Sequence, residues 1–326
     1  MSRILLIDPM SAPMVERLRP LFPGGADGAA FGVVPTTSDE DLARLGADAE
    51  ILLVIRRTVN ARLLSHTPHA RLVQEVGVGY DNFDLDALRA AGAVAANTPG
   101  ANADAVAEHT ILLMLALLKR LVPAESAVRQ GGWPTAEIVQ EGVGDLATAT
   151  IGLVGFGNIG RAVVERLRPF GPQLLYTARH ALDSATEQQL GARYVTLDDL
   201  LTSSTIVSLH LPLTEETRGL MGEANLAKMR AGALLINTAR GELLDEKALH
   251  DALTSGKLAG AGLDVLRDER PGGNPFADLP QVIVTPHMAG GSQNAIGRMM
   301  RMAIANIERF QRGEEPLNLI PLPSAS

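Results

Sequence analysis

The sequence predicts an α/β protein with two doubly wound parallel-sheet domains, and two observations support this prediction. Short apolar runs with the character of buried strands alternate with helical stretches along almost the whole chain, a pattern typical of parallel sheets. A glycine-rich turn, GFGNIG, follows one of these runs near the middle of the chain. With 326 residues, of which 46% are apolar, the chain is longer than one typical domain and can bury two hydrophobic cores.

The first part of the chain contains strand-like runs with helical stretches between them. The strands are predicted near Ile4 to Ile7, Ile51 to Ile55, Leu72 to Val76 and Ala93 to Ala96. The helices are predicted near Met14 to Leu21, Asp39 to Leu45 and Leu85 to Ala91. The segment Asn97 to Gly100 then breaks the pattern, and Ala103 to Leu121 is predicted to form one long, mostly apolar helix. We interpret this helix as the crossing between two domains.

The second part of the chain contains another alternating series, in which six strands predict one doubly wound sheet. These strands are predicted near Ile151 to Val154, Gln173 to Tyr176, Ile206 to Leu209, Ala233 to Ile236, Gly260 to Val265 and Val282 to Thr285. The last predicted helix, near Ala295 to Gln311, has room to return to the first domain. The first domain would then be discontinuous in sequence.

The turn GFGNIG, from Gly155 to Gly160, has the spacing GxGxxG and stands between the strand Ile151 to Val154 and a stretch with helical spacing. This context is that of a dinucleotide-binding turn. Gly155 would permit the tight turn, Gly157 would let the backbone approach a pyrophosphate, and Gly160 would let helix and strand pack closely. The N-terminus of the following helix would face the phosphates. A structural turn that binds no phosphate is the alternative.

Composition and charge exclude several classes of partner. The net charge is −8 without a basic cluster, so neither nucleic acid nor an anionic membrane surface is expected as a partner. The longest strictly apolar run, Ile111 to Leu118, is much shorter than the roughly 20 residues of a membrane span. Cys is absent and the N-terminus lacks a signal-peptide pattern, which favours a cytoplasmic protein. The seven histidines form no cluster with ligand spacing, so no metal site is expected.

Several blocks of sequence, taken together, resemble the D-isomer-specific 2-hydroxyacid dehydrogenases. They are VGVGYDN at 76–82, AEHT at 107–110, GFGNIG at 155–160, HLPLT at 210–214, NTARG at 237–241, GLDV at 262–265 and TPHMAG at 285–290. The blocks occur in the family's order and spacing over almost the whole chain. The resemblance implies a Rossmann NAD(P)-binding domain at 99–290, inserted into a discontinuous, flavodoxin-like substrate domain at 1–98 and 291–326.

The resemblance also implies the residues that bind the cofactor and the state of assembly. The expected cofactor contacts are Thr110, Gly155, Gly157, Asn158, Ile159, Gly160, Thr177, Arg179, His210, Pro212, Thr238, Ala239, Asp264, His287 and Gly290. A homodimer is expected, and Trp133 is a candidate dimer contact because this region has that role in the family. An ordinary core or loop tryptophan is an equal alternative. For His109 and His210, packing or hydrogen bonding is at least as good an interpretation as catalysis.

Three ionisable residues, Arg240, Glu269 and His287, each follow a strand-like run, and ligands bind at the carboxyl ends of parallel strands. Reduction of a 2-oxo acid builds charge on the carbonyl oxygen, which then needs a proton and a nearby cation. His287 can supply the proton while Glu269 favours the imidazolium, and Arg240 can hold the substrate carboxylate. The resemblance assigns the same roles. The backbone N–H groups of Val78 and Gly79 would bind the carboxylate as well. Taken singly, each charged residue is more simply a loop or surface residue.

The segment after the second strand of the predicted Rossmann domain bears on the choice of cofactor. NAD-specific folds place an acid roughly 20 residues after the glycine motif, but Leu174 to His180 contains none. Thr177 can donate to a 2′-phosphate and Arg179 can pair with it. The segment also resembles the NADP-preferring glyoxylate and hydroxypyruvate reductases of the family. We therefore expect NADP(H) to be preferred and NAD(H) to be possible. The alternative is that Arg179 is a surface charge in an enzyme of dual specificity.

The substrate is less determined by sequence. Arg56 and Arg57 follow a predicted strand. One of them, for which we choose Arg56, would favour a substrate with an anionic or polar substituent. The alternative is that both are solvated loop residues. The few aromatic residues, 3% of the chain, favour a small 2-oxo acid such as glyoxylate or hydroxypyruvate over a large aromatic one. A different class of function is a nucleotide-sensing interaction protein, similar to the transcriptional corepressors that resemble this family, with incidental dehydrogenase activity.

Overall fold

The computed structural model describes residues 3–22 and 31–323. It forms two compact units. Unit 1 comprises the described residues of Met1–Asn102 and Gln293–Ser326, and unit 2 comprises Ala103–Ser292. Each unit is built on one parallel sheet with helices packed on its faces.

The strands and helices of the described residues are numbered in chain order. The strands are β1 Arg3–Leu6, β2 Phe31–Val33, β3 Ala49–Val54, β4 Leu72–Glu75, β5 Val94–Ala96, β6 Thr150–Val154, β7 Gln173–Thr177, β8 Ala192–Tyr194, β9 Ile206–Leu209, β10 Ala233–Asn237, β11 Leu258–Leu263 and β12 Val282–Val284. The helices are α1 Ala12–Leu18, α2 Asp39–Gly46, α3 Ala61–Ser65, α4 Leu85–Ala90, α5 Ala103–Leu118, α6 Leu121–Arg129, α7 Thr135–Gln140, α8 Asn158–Leu167, α9 Ser184–Leu190, α10 Leu197–Ser203, α11 Glu223–Lys228, α12 Glu246–Thr254 and α13 Gln293–Gln311.

The sheet of unit 1 has the strand order β2-β1-β3-β4-β5, and all its strands are parallel. This is the flavodoxin-like order of doubly wound sheets. One face is covered by α13, which packs Met300, Ala303 and Ile307 against the strands. A buried hydrogen bond of 2.9 Å from Nδ2 of Asn306 to Oε1 of Gln74 fixes the helix to β4. The last helix of the chain therefore completes the core of its first unit.

Three short helices of unit 1 begin at polar residues that cap them. The side chains of Ser38, Asn60 and Asp84 accept hydrogen bonds from backbone N–H groups in the first turns of α2, α3 and α4. Such caps satisfy N–H groups that have no partner within the helix. The capping residues thus set where each helix begins after its loop.

The sheet of unit 2 has the strand order β12-β11-β10-β9-β6-β7-β8, again with parallel pairing throughout. Numbered within the unit, the first six strands follow the order 3-2-1-4-5-6 of a dinucleotide-binding fold, and β12 extends the edge beyond β11. The order reverses between β6 and β9, which is where such folds bind their ligands. The predicted fold class is confirmed.

The prediction of six strands in this sheet was wrong, because the described part of unit 2 has seven. The additional strand, β8, is a three-residue edge strand in which Arg193 and Tyr194 are exposed. In unit 1, β2 was missed in the same way, since its three residues include Gly32. In β2, Gly32 interrupts the apolar residues Phe31 and Val33, and in β8 the two residues after Ala192 are exposed, so neither segment has a continuous apolar run of strand length.

Helix α5 ends earlier than predicted. It stops at Leu118 rather than Leu121, because Arg120 adopts a left-handed conformation with φ of 51°, and α6 begins at the next residue. Most of α5 is buried in unit 2, which accounts for its apolar sequence. Of the helices in residues 3–22 and 31–323, none combines the length and apolar character required to cross a membrane.

Candidate active site

The glycine turn after β6 has the geometry that a phosphate cradle needs. Gly155 has φ of 97°, and a Cβ on it would lie 2.6 Å from the carbonyl oxygen of His210. A Cβ on Gly160 would lie 2.7 Å from the carbonyl oxygen of Gly155, so neither position accepts a side chain. Gly157 differs, because its Cβ would point into open space. Since α8 begins directly after Gly157, backbone N–H groups are accessible to an anion there. The cradle fits a dinucleotide pyrophosphate.

The loop after β7 is fixed by hydrogen bonds to the buried side chain of Tyr176. The hydroxyl of Tyr176 donates to Oε1 of Glu187 at 2.9 Å and accepts from the backbone N of Leu182 at 2.7 Å. Burial raises the pKa of the Tyr176 phenol above its usual value, so the group stays neutral. Between these anchors, Thr177 is half-buried and Arg179 is exposed. In the part of the chain that the structure describes, the guanidinium of Arg179 has no carboxylate partner.

Arg240 is positioned by the loop after β10. Asn237, which is fully buried, donates from Nδ2 to the carbonyl oxygen of Arg240 at 2.8 Å. A Cβ on Gly241 would lie 2.1 Å from the carbonyl carbon of Leu266. Because Gly241 has no side chain, the loops after β10 and β11 can meet. This contact brings Arg240 close to the segment that carries Glu269.

His287 and Glu269 form a hydrogen-bonded pair. Nδ1 of His287 lies 2.8 Å from Oε2 of Glu269, and the two side chains are 41% and 39% exposed, so both are accessible to a ligand. Within the described residues, Nε2 of His287 has no protein partner. Nε2 is therefore the ring nitrogen available to exchange a proton with a substrate.

Asp264 organises the turn that carries His287. Its carboxylate is 1% exposed and accepts hydrogen bonds from the hydroxyl of Thr285 at 2.6 Å and from the backbone N of Met288 and Ala289 at 3.0 and 2.8 Å. Its carbonyl oxygen accepts from the backbone N of His287 at 2.8 Å. These bonds satisfy a buried charge and fix the turn at the same time. The predicted contact of Asp264 with a cofactor stays a prediction.

Two further pairs of polar residues lie near the switch point of the sheet. The hydroxyl oxygens of Thr110 and Thr238 are 3.0 Å apart and buried. Nε2 of His210 lies 2.9 Å from Oγ of Ser208, and burial lowers the pKa of His210 from 6.5 to about 4. His210 is therefore neutral near pH 7. The other predicted cofactor residues lie in the first turn of α8 and in loops after β9, β10 and β12, at Asn158, Ile159, Pro212, Ala239 and Gly290.

The predicted substrate residues Val78 and Gly79 belong to unit 1, where they follow β4 and are half-buried. The carbonyl oxygen of Val78 accepts a hydrogen bond of 2.6 Å from Nδ2 of Asn97. This bond ties the loop after β4 to the end of β5. The loop is thus held in place before any ligand binds.

Asp8 distinguishes the two arginines after β3. Its carboxylate accepts from the backbone N of Ile55 at 2.7 Å, of Arg56 at 3.2 Å and of Arg57 at 3.0 Å. The guanidinium of Arg57 donates to two backbone carbonyls at 3.1 and 2.9 Å, so it is used within unit 1. Arg56 is exposed, and its guanidinium has no partner among the residues described. Of the pair, Arg56 is the one available to a ligand.

Asp8, Asn237 and Thr285 were not predicted as site residues, although Asn237 and Thr285 begin the blocks at 237–241 and 285–290. Each is a polar residue placed at or just after the end of an apolar strand-like run, and this position was the available signal. For His109, packing, hydrogen bonding and catalysis were all open from the sequence. In the structure His109 is largely buried, and its Nε2 lies 2.9 Å from Oγ1 of Thr285. No group of His, Cys, Asp and Glu side chains suited to a metal ion occurs among the described residues.

The similarity of this chain to known proteins agrees with the geometry of the site. Residues 111–289 match the family model described as D-isomer specific 2-hydroxyacid dehydrogenase, NAD binding domain. A glyoxylate reductase of Korarchaeum cryptofilum (strain OPF8) is 40% identical over 264 residues, which cover 80% of this chain and 79% of that protein.

Two solved structures extend the similarity to the whole fold. A crystal structure of a glyoxylate reductase from Paecilomyes thermophila superposes with a TM-score of 0.84 at 31% identity and covers 98% of each chain. A crystal structure of D-lactate dehydrogenase from Aquifex aeolicus, complexed with NAD and lactic acid, has a TM-score of 0.86 at 28% identity and covers 99% of this chain and 100% of that one. The chain therefore belongs to the D-isomer specific 2-hydroxyacid dehydrogenases and is an NAD(P)-dependent enzyme of that family.

Proposed function

We propose that the protein reduces a small 2-oxo acid of the glyoxylate or hydroxypyruvate type to the D-2-hydroxy acid, with NADPH as the preferred cofactor. The observation that carries the proposal is the 2.8 Å pair of His287 and Glu269 in the unit that also holds Arg240 and the glycine cradle. Proteins named glyoxylate reductase are among the relatives at 38–40% identity. Both observations support the same reaction class.

In this proposal His287 is the general acid. A reduced nicotinamide, when bound, supplies the hydride to the carbonyl carbon. Nε2–H of His287 then gives its proton to the carbonyl oxygen, and Glu269 stabilises the imidazolium beforehand through its bond to Nδ1. In the reverse direction the same nitrogen takes the proton from the hydroxyl group. Proton transfer from a positioned acid contributes about 10² to 10⁴ in rate.

Arg240 is proposed to hold the substrate. Its planar guanidinium can bind a carboxylate through two parallel hydrogen bonds and places a cation near the carbonyl oxygen, where negative charge develops. The backbone N–H groups of Val78 and Gly79 are also proposed to bind the substrate. Arg56 would favour a polar or anionic substituent, because its guanidinium is exposed whereas that of Arg57 is engaged.

The residues proposed to hold the cofactor follow the strands around the switch point. Gly155, Gly157 and Gly160 form the cradle for the pyrophosphate. Thr177 and Arg179 would bind the 2′-phosphate of NADPH, since the segment 174–180 has no carboxylate to repel it. NAD(H) would be the second choice.

A homodimer is proposed from an exposed apolar surface on unit 2. The exposed large apolar side chains between positions 112 and 143 are Leu112, Leu121, Val122, Val128, Trp133, Val139 and Val143. Trp133 is 81% exposed, which is unusual for the largest apolar side chain. Exposed apolar surface marks association sites, and because these residues all fall between positions 112 and 143, a second copy of this chain is the proposed occupant. The lack of Cys fits a cytoplasmic enzyme.

The proposed reaction is tested by measuring the oxidation of NADPH and of NADH with glyoxylate, hydroxypyruvate, pyruvate and a bulkier 2-oxo acid. A higher kcat/KM with NADPH and with the two smallest hydrophilic acids is the expected result. Preference for NADH would contradict the assignment of Thr177 and Arg179. Turnover with none of the pairs would contradict the reaction and favour the nucleotide-sensing alternative.

A further inference from the structure

His287 has a backbone conformation that must be held by its surroundings. Its φ is 51°, in the left-handed region, where a non-glycine residue is strained. Strained residues at active sites persist because neighbouring contacts determine their conformation. The source of those contacts therefore decides where Nε2 of His287 points.

Most backbone hydrogen bonds of the turn around His287 are made to Asp264. The carbonyl oxygen of Asp264 binds the N–H of His287, and its carboxylate binds the two following N–H groups, of Met288 and Ala289. On the preceding side, the hydroxyl of Thr285 donates to Oδ1 of Asp264 at 2.6 Å. The turn is thus fixed to one buried carboxylate both before and after the histidine.

The direction of the hydrogen bonds identifies a further member of this network. A hydroxyl group has a single proton, and that of Thr285 points to Asp264. Nε2 of His109 lies 2.9 Å from the same hydroxyl oxygen and 3.5 Å from Oδ1 of Asp264. Thr285 can only accept from this nitrogen, so His109 must carry a proton on Nε2. The chain of donors runs from His109 to Thr285 to Asp264.

We propose that His109 is a positioning residue for His287, acting from α5 through Thr285 and Asp264. The side chain of His109 is only 10% exposed, compared with 41% for His287. His109 is therefore less accessible to a substrate and would act through the turn that carries His287. The requirement is chemical as well as steric, because only a donor at Nε2 completes the chain. This inference rests on the proposed function insofar as His287 is the proton donor whose position matters.

The proposal predicts that donor variants and non-donor variants differ. His109→Gln places an N–H donor at similar reach and should retain most of kcat, whereas His109→Leu should lose about 10- to 100-fold, as expected when a reacting group is misplaced. His109→Glu, which puts an acceptor beside Asp264, should be the worst of the three. Thr285→Ser keeps the hydroxyl and should resemble the wild type, and Thr285→Val should resemble His109→Leu.

The experiment measures kcat, the KM values of both substrates and the solvent deuterium isotope effect for these variants. His250→Leu is the matched control, because His250 lies on α12 and pairs with Asp278 at 3.7 Å, outside this network. In His109→Leu and Thr285→Val we expect a lower kcat with a larger solvent isotope effect, and little change in the KM for the cofactor. The double variant His109→Leu/Thr285→Val should have a kcat no lower than that of either single variant. A purely structural role for His109 would leave the isotope effect unchanged and affect the Gln and Leu variants equally.

Two outcomes separate this proposal from the proposed function. A wild-type protein without turnover would reject the reaction, and amide hydrogen exchange of Met288 and Ala289 would then test the network directly. Faster exchange in His109→Leu than in His109→Gln would support the positioning role. Equal exchange in both variants, or full kcat in His109→Leu, would overturn it.

Discussion

Nδ1 of His287 lies 2.8 Å from Oε2 of Glu269, although 18 residues separate them in the chain. The two residues are in the loops that follow β12 and β11, which are paired strands of one parallel sheet. With Nδ1 committed to the carboxylate, Nε2 is left for the substrate. The pair has the composition of a general acid with a charged partner that stabilises its protonated form.

Removal of either member of this pair should affect chemistry more than binding. His287→Ala should lower kcat by about 10²-fold or more. Glu269→Gln keeps the size of the side chain but removes its charge, so it should lower kcat by a smaller factor. Steady-state kinetics and a fluorescence titration with NADPH measure the two effects separately. Full turnover by His287→Ala with normal cofactor binding would contradict the mechanism.

Arg179 should determine the preference between the two cofactors. Arg179→Ala removes a charge-assisted hydrogen bond to the 2′-phosphate, worth about 1.5–3 kcal/mol, and should lower kcat/KM for NADPH by about 10- to 100-fold. The value for NADH should change little. Arg193→Ala is the matched control, because Arg193 is another exposed arginine, on the neighbouring strand β8. If the ratio of kcat/KM for NADPH to kcat/KM for NADH is unchanged in Arg179→Ala, this side chain does not contact the 2′-phosphate.

Two glycines should respond differently to a methyl group. Gly241→Ala would place Cβ 2.1 Å from a backbone carbon of Leu266, so it should lower the free energy of unfolding by about 1–3 kcal/mol and displace Arg240. Gly157→Ala meets no protein atom within 4 Å, so it should leave the free protein stable but weaken cofactor binding. Thermal unfolding without cofactor measures the loss of stability expected for Gly241→Ala, and the KM for NADPH measures the weaker cofactor binding expected for Gly157→Ala. Equal stability of both variants would contradict the packing argument.

The stability of unit 2 should depend on pH through His210. Burial lowers the pKa of His210 from 6.5 to about 4, so between these values the unfolded chain binds a proton that the folded protein does not. The contribution of neutral His210 to the free energy of unfolding is fully present above about pH 6.5 and is lost as the pH falls through 4; at about 1.4 kcal/mol per pKa unit it amounts to about 3.5 kcal/mol. His210→Gln should show a smaller loss in urea unfolding between about pH 7 and about pH 5.

Other groups with lowered pKa values act outside this interval. They are the hydrogen-bonded carboxyl groups of Asp39, Asp41, Asp183, Asp251 and Glu314. Because their pKa values lie below the usual carboxyl range, the stability that they add is present above that range and is lost only at lower pH. If the wild type and His210→Gln lost the same free energy of unfolding between about pH 7 and about pH 5, the assignment to His210 would be refuted.

Trp133 should control assembly. Trp133→Ala removes the most exposed large apolar side chain of the segment around α6 and α7 and should shift the protein from dimer toward monomer. Light scattering coupled to size-exclusion chromatography gives the mass of each variant. Phe170→Ala, at an exposed apolar residue outside this segment, is the control. A monomeric wild type, or an unchanged dimer in Trp133→Ala, would contradict the proposed surface.

Local patterns were sufficient for most of the fold. Strands such as β6 and β10 are apolar over nearly their whole length, because both faces of a parallel sheet are covered by helices. The edge strands β2 and β8 were missed, since three-residue segments with a glycine or two exposed residues have no pattern of their own. Pairing with a neighbouring strand is what defines them.

Most strands, the glycine turn and the ionisable residues that follow strands could be predicted from local sequence, because each depends on a few neighbouring residues. Which atoms meet depends on the folded chain. The tertiary structure paired His287 with Glu269, engaged Arg57 while leaving Arg56 exposed, and placed His109 against Thr285 across 176 residues of sequence. Such contacts depend on how the strands are ordered in the sheet and how the helices pack on it, and no local pattern of polarity contains that information.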